Sequence, residues 1–167
     1  MPELITYTQS GSKEPNMFDG LLLWLDISEQ GTISRNGTKA RKVFDKSKHN
    51  SVLISPSDIS QPSILQSRFQ GKTALKFYTT KEKLVGTTSA PSEGVTTIGV
   101  INGYVQINNE YVISISQNLV TVPVTDFVPP MIVAELLVFK TGSLTIEEMI
   151  WIVNYLMSKW DVPLHSE

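Results

Sequence analysis

The chain contains no cysteine. Disulfide scaffolds, thiolate nucleophiles and cysteine-ligated zinc are therefore excluded. No apolar run approaches the ~20 residues that a bilayer-spanning helix needs. Charge of one sign is never concentrated: 14 basic and 16 acidic residues are dispersed and leave a net charge of −2. A chain without a basic block favours neither nucleic acid nor an anionic membrane surface as partner. Histidine occurs only at His49, in a polar turn, and at His165, near the end, with no second ligand at metal-binding spacing. The opening MPELITYTQSGSKEPN has neither the basic n-region nor the apolar h-region of a secretion signal. Folding in a cytoplasm without classical secretion is the expectation. Nucleophile-elbow, P-loop and dinucleotide-binding glycine patterns are missing as well.

What is present is one domain's worth of core. The 167 residues are 41% hydrophobic and 18% charged, within the range of a single globular unit. Residues 1–17 are polar and broken by Pro2, Gly11 and Pro15, and they read as an extended arm whose apolar anchors are Leu4, Ile5 and Tyr7. Residues 18–163 read as the domain and 164–167 as a tail. Gly20–Asp26 is a dense apolar strand that ends in a carboxylate. Short strands are predicted at Val52–Ile54, Thr73–Tyr78 and Lys83–Val85, and Ser28–Ala40 reads as a loop with one short edge strand. Between Val95 and Val124 the runs VTTIGVI, YVQI, EYVISI and LVTVPV predict a meander. Asn102-Gly103 supplies the positive φ angles of its first turn.

The closing segment Pro130–Asp161 is the most legible. Met131–Phe139 is apolar apart from Glu135 and predicts a strand covered on both faces. Thr145 and Glu148 form a capping box, with Leu144 and Met149 placed for a hydrophobic staple. A helix follows from about Ile146 to Lys159, with Ile146, Met149, Ile150, Val153, Leu156, Met157 and Trp160 as its buried stripe and Trp151 beside it.

GLLLWLDIS, VFDKSKHNS, QPS…GKTALKF and VAELLVFKTGSLTIEEMIWIVNYLMSKWDVP occur in this order. Together they resemble the concanavalin A-like, laminin-G-like jelly-roll modules found in phage and bacterial surface proteins, over about Leu21 to Val162. The resemblance implies a mainly β antiparallel jelly-roll sandwich with one C-terminal α-helix. The sequence departs from those modules at Phe44, Lys48-His49-Asn50, Tyr78-Thr79 and Asp161, and the stretch between Phe77 and Ile132 is short. In such folds the longer loops build glycan and calcium sites, so the shortening argues against both.

The residues themselves offer little chemistry. Paired carboxylates for glycoside hydrolysis need one shared face, and Asp26, Asp45, Glu82 and Glu135 are scattered in sequence. Enzymatic activity is not expected. Asp26, Asp45 and Asn50 could give some oxygens to calcium, but capping of turns is the favoured role of the two aspartates, and no metal or cofactor is expected. Tyr104 and Tyr111, flanking turns, are the glycan-stacking candidates; Leu4, Ile5 and Tyr7 are the partner-contact candidates. The expectation is a non-enzymatic structural protein of a virus particle, a phage capsid decoration or other virion protein. It would act through contacts with other virion or capsid proteins and with copies of itself, and would reach the virion after assembly in the host cytoplasm. The alternative is a glycan-binding adhesin or receptor-binding module.

Overall fold

The computed structural model describes residues 14–69, 71–88 and 94–165. Leu4, Ile5 and Tyr7 lie outside the described residues. The described chain is mainly antiparallel β with one α-helix near its C-terminus. The strands are β1 (Leu21–Asp26), β2 (Ile33–Asn36), β3 (Lys39–Phe44), β4 (Val52–Ile54), β5 (Ser63–Phe69), β6 (Lys72–Phe77), β7 (Leu84–Thr87), β8 (Val95–Ile101), β9 (Tyr104–Ile107), β10 (Ser114–Ser116), β11 (Leu119–Val122) and β12 (Met131–Lys140), followed by helix α1 (Ile146–Trp160). Among the described residues no helix is long and apolar enough to cross a membrane.

All twelve strands join one curled sheet: ten follow the path β10-β11-β7-β4-β3-β5-β6-β12-β8-β9, while β1 pairs with β12 and β2 with β3 off it. Strand β12 is its spine. It pairs with β8 on one side, and with β1 and β6 in succession on the other. Curling closes an inner core to which both ends of the path contribute: Val43, Leu53, Leu84 and Val120 from one end, Leu23, Leu25, Leu136 and Val138 from the other. A second core lies between the outer face of the spine and α1, built from Leu21, Trp24, Leu137, Phe139, Ile152, Leu156 and Trp160. The two-residue period of a strand explains how β12 serves both cores at once.

That period is broken at one place. Pairing with β8 steps from Val133↔Ile101 to Glu135↔Val100, leaving Ala134 as an extra residue. Val133 and Leu136 face the inner core, while Ala134 faces the helix. Strict alternation would drive Glu135 into the inner apolar core; the bulge turns it to the helix side instead. Opposite this bulge sits Gly99, where a Cβ would lie 2.7 Å from the Glu135 carbonyl oxygen. Gly99→Ala is therefore expected to cost about 1–3 kcal/mol through forced backbone separation, measured by urea unfolding. A cost within 0.3 kcal/mol of zero, on the order of the noise between independent sites, contradicts this close approach.

Two of the local expectations have clear counterparts. Asn102 and Gly103 take φ of 55° and 86° at the β8–β9 turn. The Thr145 hydroxyl accepts from the Glu148 N–H while the Glu148 carboxylate accepts from the Thr145 N–H, closing the capping box. Others are corrected. The expected meander does not exist: β8–β9 and β10–β11 are hairpins at opposite ends of the sheet path, because the connection between them carries Val112 into the inner core. Strand β5 escaped the sequence reading, since SILQSRF mixes polar and apolar residues without a strong period. The buried stripe of α1 is also rotated. Trp151, Ile152, Leu156 and Trp160 are its buried residues, whereas Ile146 is 77% exposed and Ile150 40% exposed. The helix is apolar around most of its circumference, so periodicity alone could not select the packed face.

Candidate functional site

The carboxylates that are scattered in sequence are brought together in space. Asp26 and Glu135 are opposite one another in the β1–β12 register, and both side chains face α1. Neither is accessible: Asp26 is 1% exposed and Glu135 0%. Glu135 Oε2 accepts from Trp24 Nε1 at 2.7 Å and from the Tyr155 hydroxyl at 2.9 Å. Its Oε1 accepts from Trp160 Nε1 at 2.8 Å and lies 3.0 Å from Lys159 Nζ. Asp26 Oδ2 accepts from Lys159 Nζ at 2.6 Å and Lys46 Nζ at 3.3 Å, while Oδ1 takes the Ser28 hydroxyl and N–H. Lys46 also stands 4.1 Å above the Trp24 ring and reaches the exposed Glu29. Two anions thus meet two ammonium groups, and four donors converge on one buried carboxylate.

The electrostatics follow from this arrangement. Burial, and next the Asp26 charge, push the Glu135 carboxyl above the ordinary glutamate value, against the pull of Lys159 and the two indoles. Burial would push Asp26 up too, but Lys159, Ser28 and Lys46 outweigh it, and Asp26 titrates below the ordinary aspartate value. Tyr155 is held as the neutral phenol by burial and by the neighbouring Glu135 and Asp26 charges. A closed set of this kind can fasten the helix to the spine. With both acids inaccessible and their oxygens engaged, it offers no face to a scissile bond.

The second aspartate singled out in the sequence, Asp45, is 4% exposed and organises the turn after β3. Its Oδ1 accepts from the N–H groups of Trp24 and Ser47 at 2.8 Å each, and its Oδ2 from the Ser47 hydroxyl at 2.7 Å and the Ser51 N–H at 3.1 Å. Lys46 N–H in turn donates to the Trp24 carbonyl. The turn therefore covers the open edge of β1, the edge protection that exposed strands require. Asn50, the third calcium candidate, takes φ of 52° within this turn. Among the described residues no group of three or more His, Asp or Glu is placed to hold a metal.

The accessible features lie along β9, across β12 and β8 from β1. Tyr104 and Tyr111 are 43% and 41% exposed. Tyr111 lines a mainly polar groove of about 470 Å³ with Gln106, Asn108, Asn109, Glu110 and His165, and Ile107 and Leu164 form its apolar part. Tyr104 meets the same groove indirectly, its ring edge-to-face with His165 at 5.5 Å. Tyr111 is bonded to Glu110, which raises its phenol above the ordinary value. Beside this groove runs an apolar one of about 450 Å³ between β9 and α1, lined by Ile107, Ile146, Met149, Ile150, Val153 and Met157. All but Ile107 are members of the helix stripe that the sequence marks as buried. No sequence signal separated them from the packed face, because that face also carries Tyr155 and Lys159, whose polarity argues for solvent when read alone. Compared with known protein families, curated proteins and solved structures, the chain has no match in any of the three.

Proposed function

We propose that this chain is a non-enzymatic structural protein of a virus particle, a phage capsid decoration or other virion protein, built on a jelly-roll sandwich and acting through protein–protein contacts. One observation carries the reading: the two buried carboxylates are held beneath the helix, while among the described residues an apolar groove lies open along the helix flank with Ile146, Ile150 and Ile107 all exposed. Exposed apolar surface that is contiguous rather than scattered marks an interaction site. Copies of the chain and neighbouring virion proteins are the partners in this reading, and the assembled virion is its location.

Co-sedimentation of purified chain with particle shells, together with sizing of the chain alone, tests it. Association that is lost on Ile146→Asp or Ile150→Asp is the expected result. A chain that stays monomeric and never sediments with any shell or virion protein overturns the proposal.

The polar groove favours a second reading, a glycan-binding adhesin. It sets a half-exposed phenol ring beside three amides, a carboxylate and an imidazole, the mixture of stacking and hydrogen-bonding groups that small-ligand sites use. Reproducible hits on a glycan array, reduced at least tenfold by Tyr111→Ala, support this reading; hits unaffected by that change remove it.

A further inference from the structure

The net charge of −2 conceals a division that the sheet makes spatial. Residues 33–87 carry 11 of the 14 basic residues but three of the 16 acidic ones. They form β2 to β7, which are neighbours in the sheet. Asp45 and Glu82 of this stretch are buried and engaged with N–H donors, which leaves Asp58 as its one exposed acid. The same strands hold an apolar ridge. Val43 and Leu53 face the inner core, so alternation turns Lys42, Phe44, Val52 and Ile54 outward. Phe44 is opposite Val52, and Ile54 lies between Lys42 and Val85. Phe44 and Ile54 are exposed, and neither they nor Val52 and Val85 belong to either core. Arg41 and Lys42 on β3, Lys48 in the turn after it and Lys83 just before β7 make the surroundings basic. Among the described residues none of these four pairs with a carboxylate.

The apolar groove between β9 and α1 has the opposite surroundings. Residues 88–167 carry eight acidic residues against Lys140 and Lys159, and Lys159 is bound to Asp26 and Glu135. Exposed Glu147 adjoins Ile146 in the first turn of α1. Glu110 lines the mainly polar groove, which shares Ile107 and Leu164 with the apolar one. After α1 ends at Asp161, Leu164 bridges to Val105. The chain's own return thus occupies the β9 edge and walls the groove, which suits protruding side chains rather than an added strand. From Ile146 to Met157 the groove follows α1 for ~16 Å at 1.5 Å per residue. Phe44 and Ile54 are diagonal neighbours, about 7–8 Å apart, so both can enter it together. We infer that the groove receives the Phe44–Ile54 ridge of a second copy of this chain, so that copies join head to tail. Charge complementarity selects this occupant: ridge on groove sets a basic surface against an acidic one, whereas groove on groove or ridge on ridge opposes like charges. Such a contact leaves one ridge and one groove free at the ends and repeats into a ring or a filament. The inference rests on the reading of the chain as a protein-contact module and names the partner at the groove already proposed.

Sedimentation velocity of the full chain at rising concentration tests it. Wild type is expected to self-associate at about 0.01 M salt. Association should weaken at least tenfold at about 1 M, where the screening length falls from ~30 to ~3 Å. Ile54→Asp removes the ridge and Ile150→Asp removes the groove, both at exposed positions outside the two cores, and each variant should be monomeric alone. Mixed in equal amounts they should form a dimer and nothing larger, because each retains the surface that the other lacks. Phe44→Ser takes the place of Ile54→Asp if circular dichroism shows that the latter does not fold. Wild type that is monomeric at low salt overturns the inference, as does association that salt leaves unchanged. So does a mixture that stays monomeric, or a ridge variant that self-associates as wild type does, the behaviour of a groove-to-groove contact. Self-association by a chain that never sediments with particles keeps the head-to-tail contact and removes the virion reading; particle association by a chain that is monomeric in solution does the reverse.

Discussion

Glu135→Ala is expected to lower the unfolding free energy by about 3–5 kcal/mol, the range for removing one partner of a buried ion pair. The substitution takes away the acceptor of four groups at once: the indoles of Trp24 and Trp160, the Tyr155 hydroxyl and the Lys159 ammonium. Indole N–H and ammonium groups can only donate, so none of these three can find satisfaction in another. Lys159 keeps Asp26, which limits the loss. All three tryptophans of the sequence lie in or beside the cluster, with Trp151 stacked on Tyr155 at 5.5 Å, so urea unfolding followed by tryptophan fluorescence reports on it directly. A loss under about 1 kcal/mol, the worth of an exposed ion pair, means that the cluster is hydrated and not closed.

The same cluster sets a pH dependence with two opposed limbs. The folded-state value of Glu135 lies above 4.5, so the folded chain binds this proton more readily than the unfolded one. Its ionisation therefore costs stability, and that cost is relieved as pH falls through the folded value towards 4.5. Asp26 has a folded value below 3.8. Its contribution is present above 3.8 and is lost as pH falls through the folded value. Stability should rise from neutral into mild acid and decline only in stronger acid. Glu135→Gln removes the first limb and retains the second. A Gln variant that still gains stability from neutral pH to mild acid as wild type does would assign the first limb to another group.

How far the sequence revealed this arrangement depends on which interactions it encodes locally. The β8–β9 turn and the helix cap are short-range devices: Asn102-Gly103 and Thr145…Glu148 carry their partners within a few residues, and both are found where read. Asp26 and Glu135 are separated by more than a hundred residues, and their meeting requires the β1–β12 register together with the bulge at Ala134. A bulge is one residue of slip and leaves no trace in an apolar run such as MIVAELLVF. Read from the sequence, Trp24 and Trp160 belong to core segments, Asp26 caps a turn, Glu135 is the one charge of an apolar strand, Lys159 falls off the apolar stripe of the helix, and nothing local links Tyr155 to any of them. In space they are the members of one charged network. The grooves needed two long-range facts, the rotation of α1 and the return of the chain to β9 after Asp161.

Leu156→Ala is expected to cost about 2–5 kcal/mol, as large-to-small changes at buried leucines do when the cavity only partly collapses. Leu156 is fully buried in the core between α1 and the spine. One residue before it, Tyr155 reaches Glu135, and three residues after it, Lys159 reaches both acids. Those polar anchors hold the helix at fixed points along its length, which restricts its movement into the space left by the leucine side chain and favours the upper part of the range. The effect is separable from that of Glu135. If the polar anchors prevent collapse, Leu156→Ala in the Glu135→Ala background should cost less than in the wild-type chain, because a released helix can settle onto the sheet. Equal costs in the two backgrounds mean that apolar packing alone positions α1. The apolar groove along its flank would then owe its shape to Ile152, Leu156 and Trp160 rather than to the buried charges.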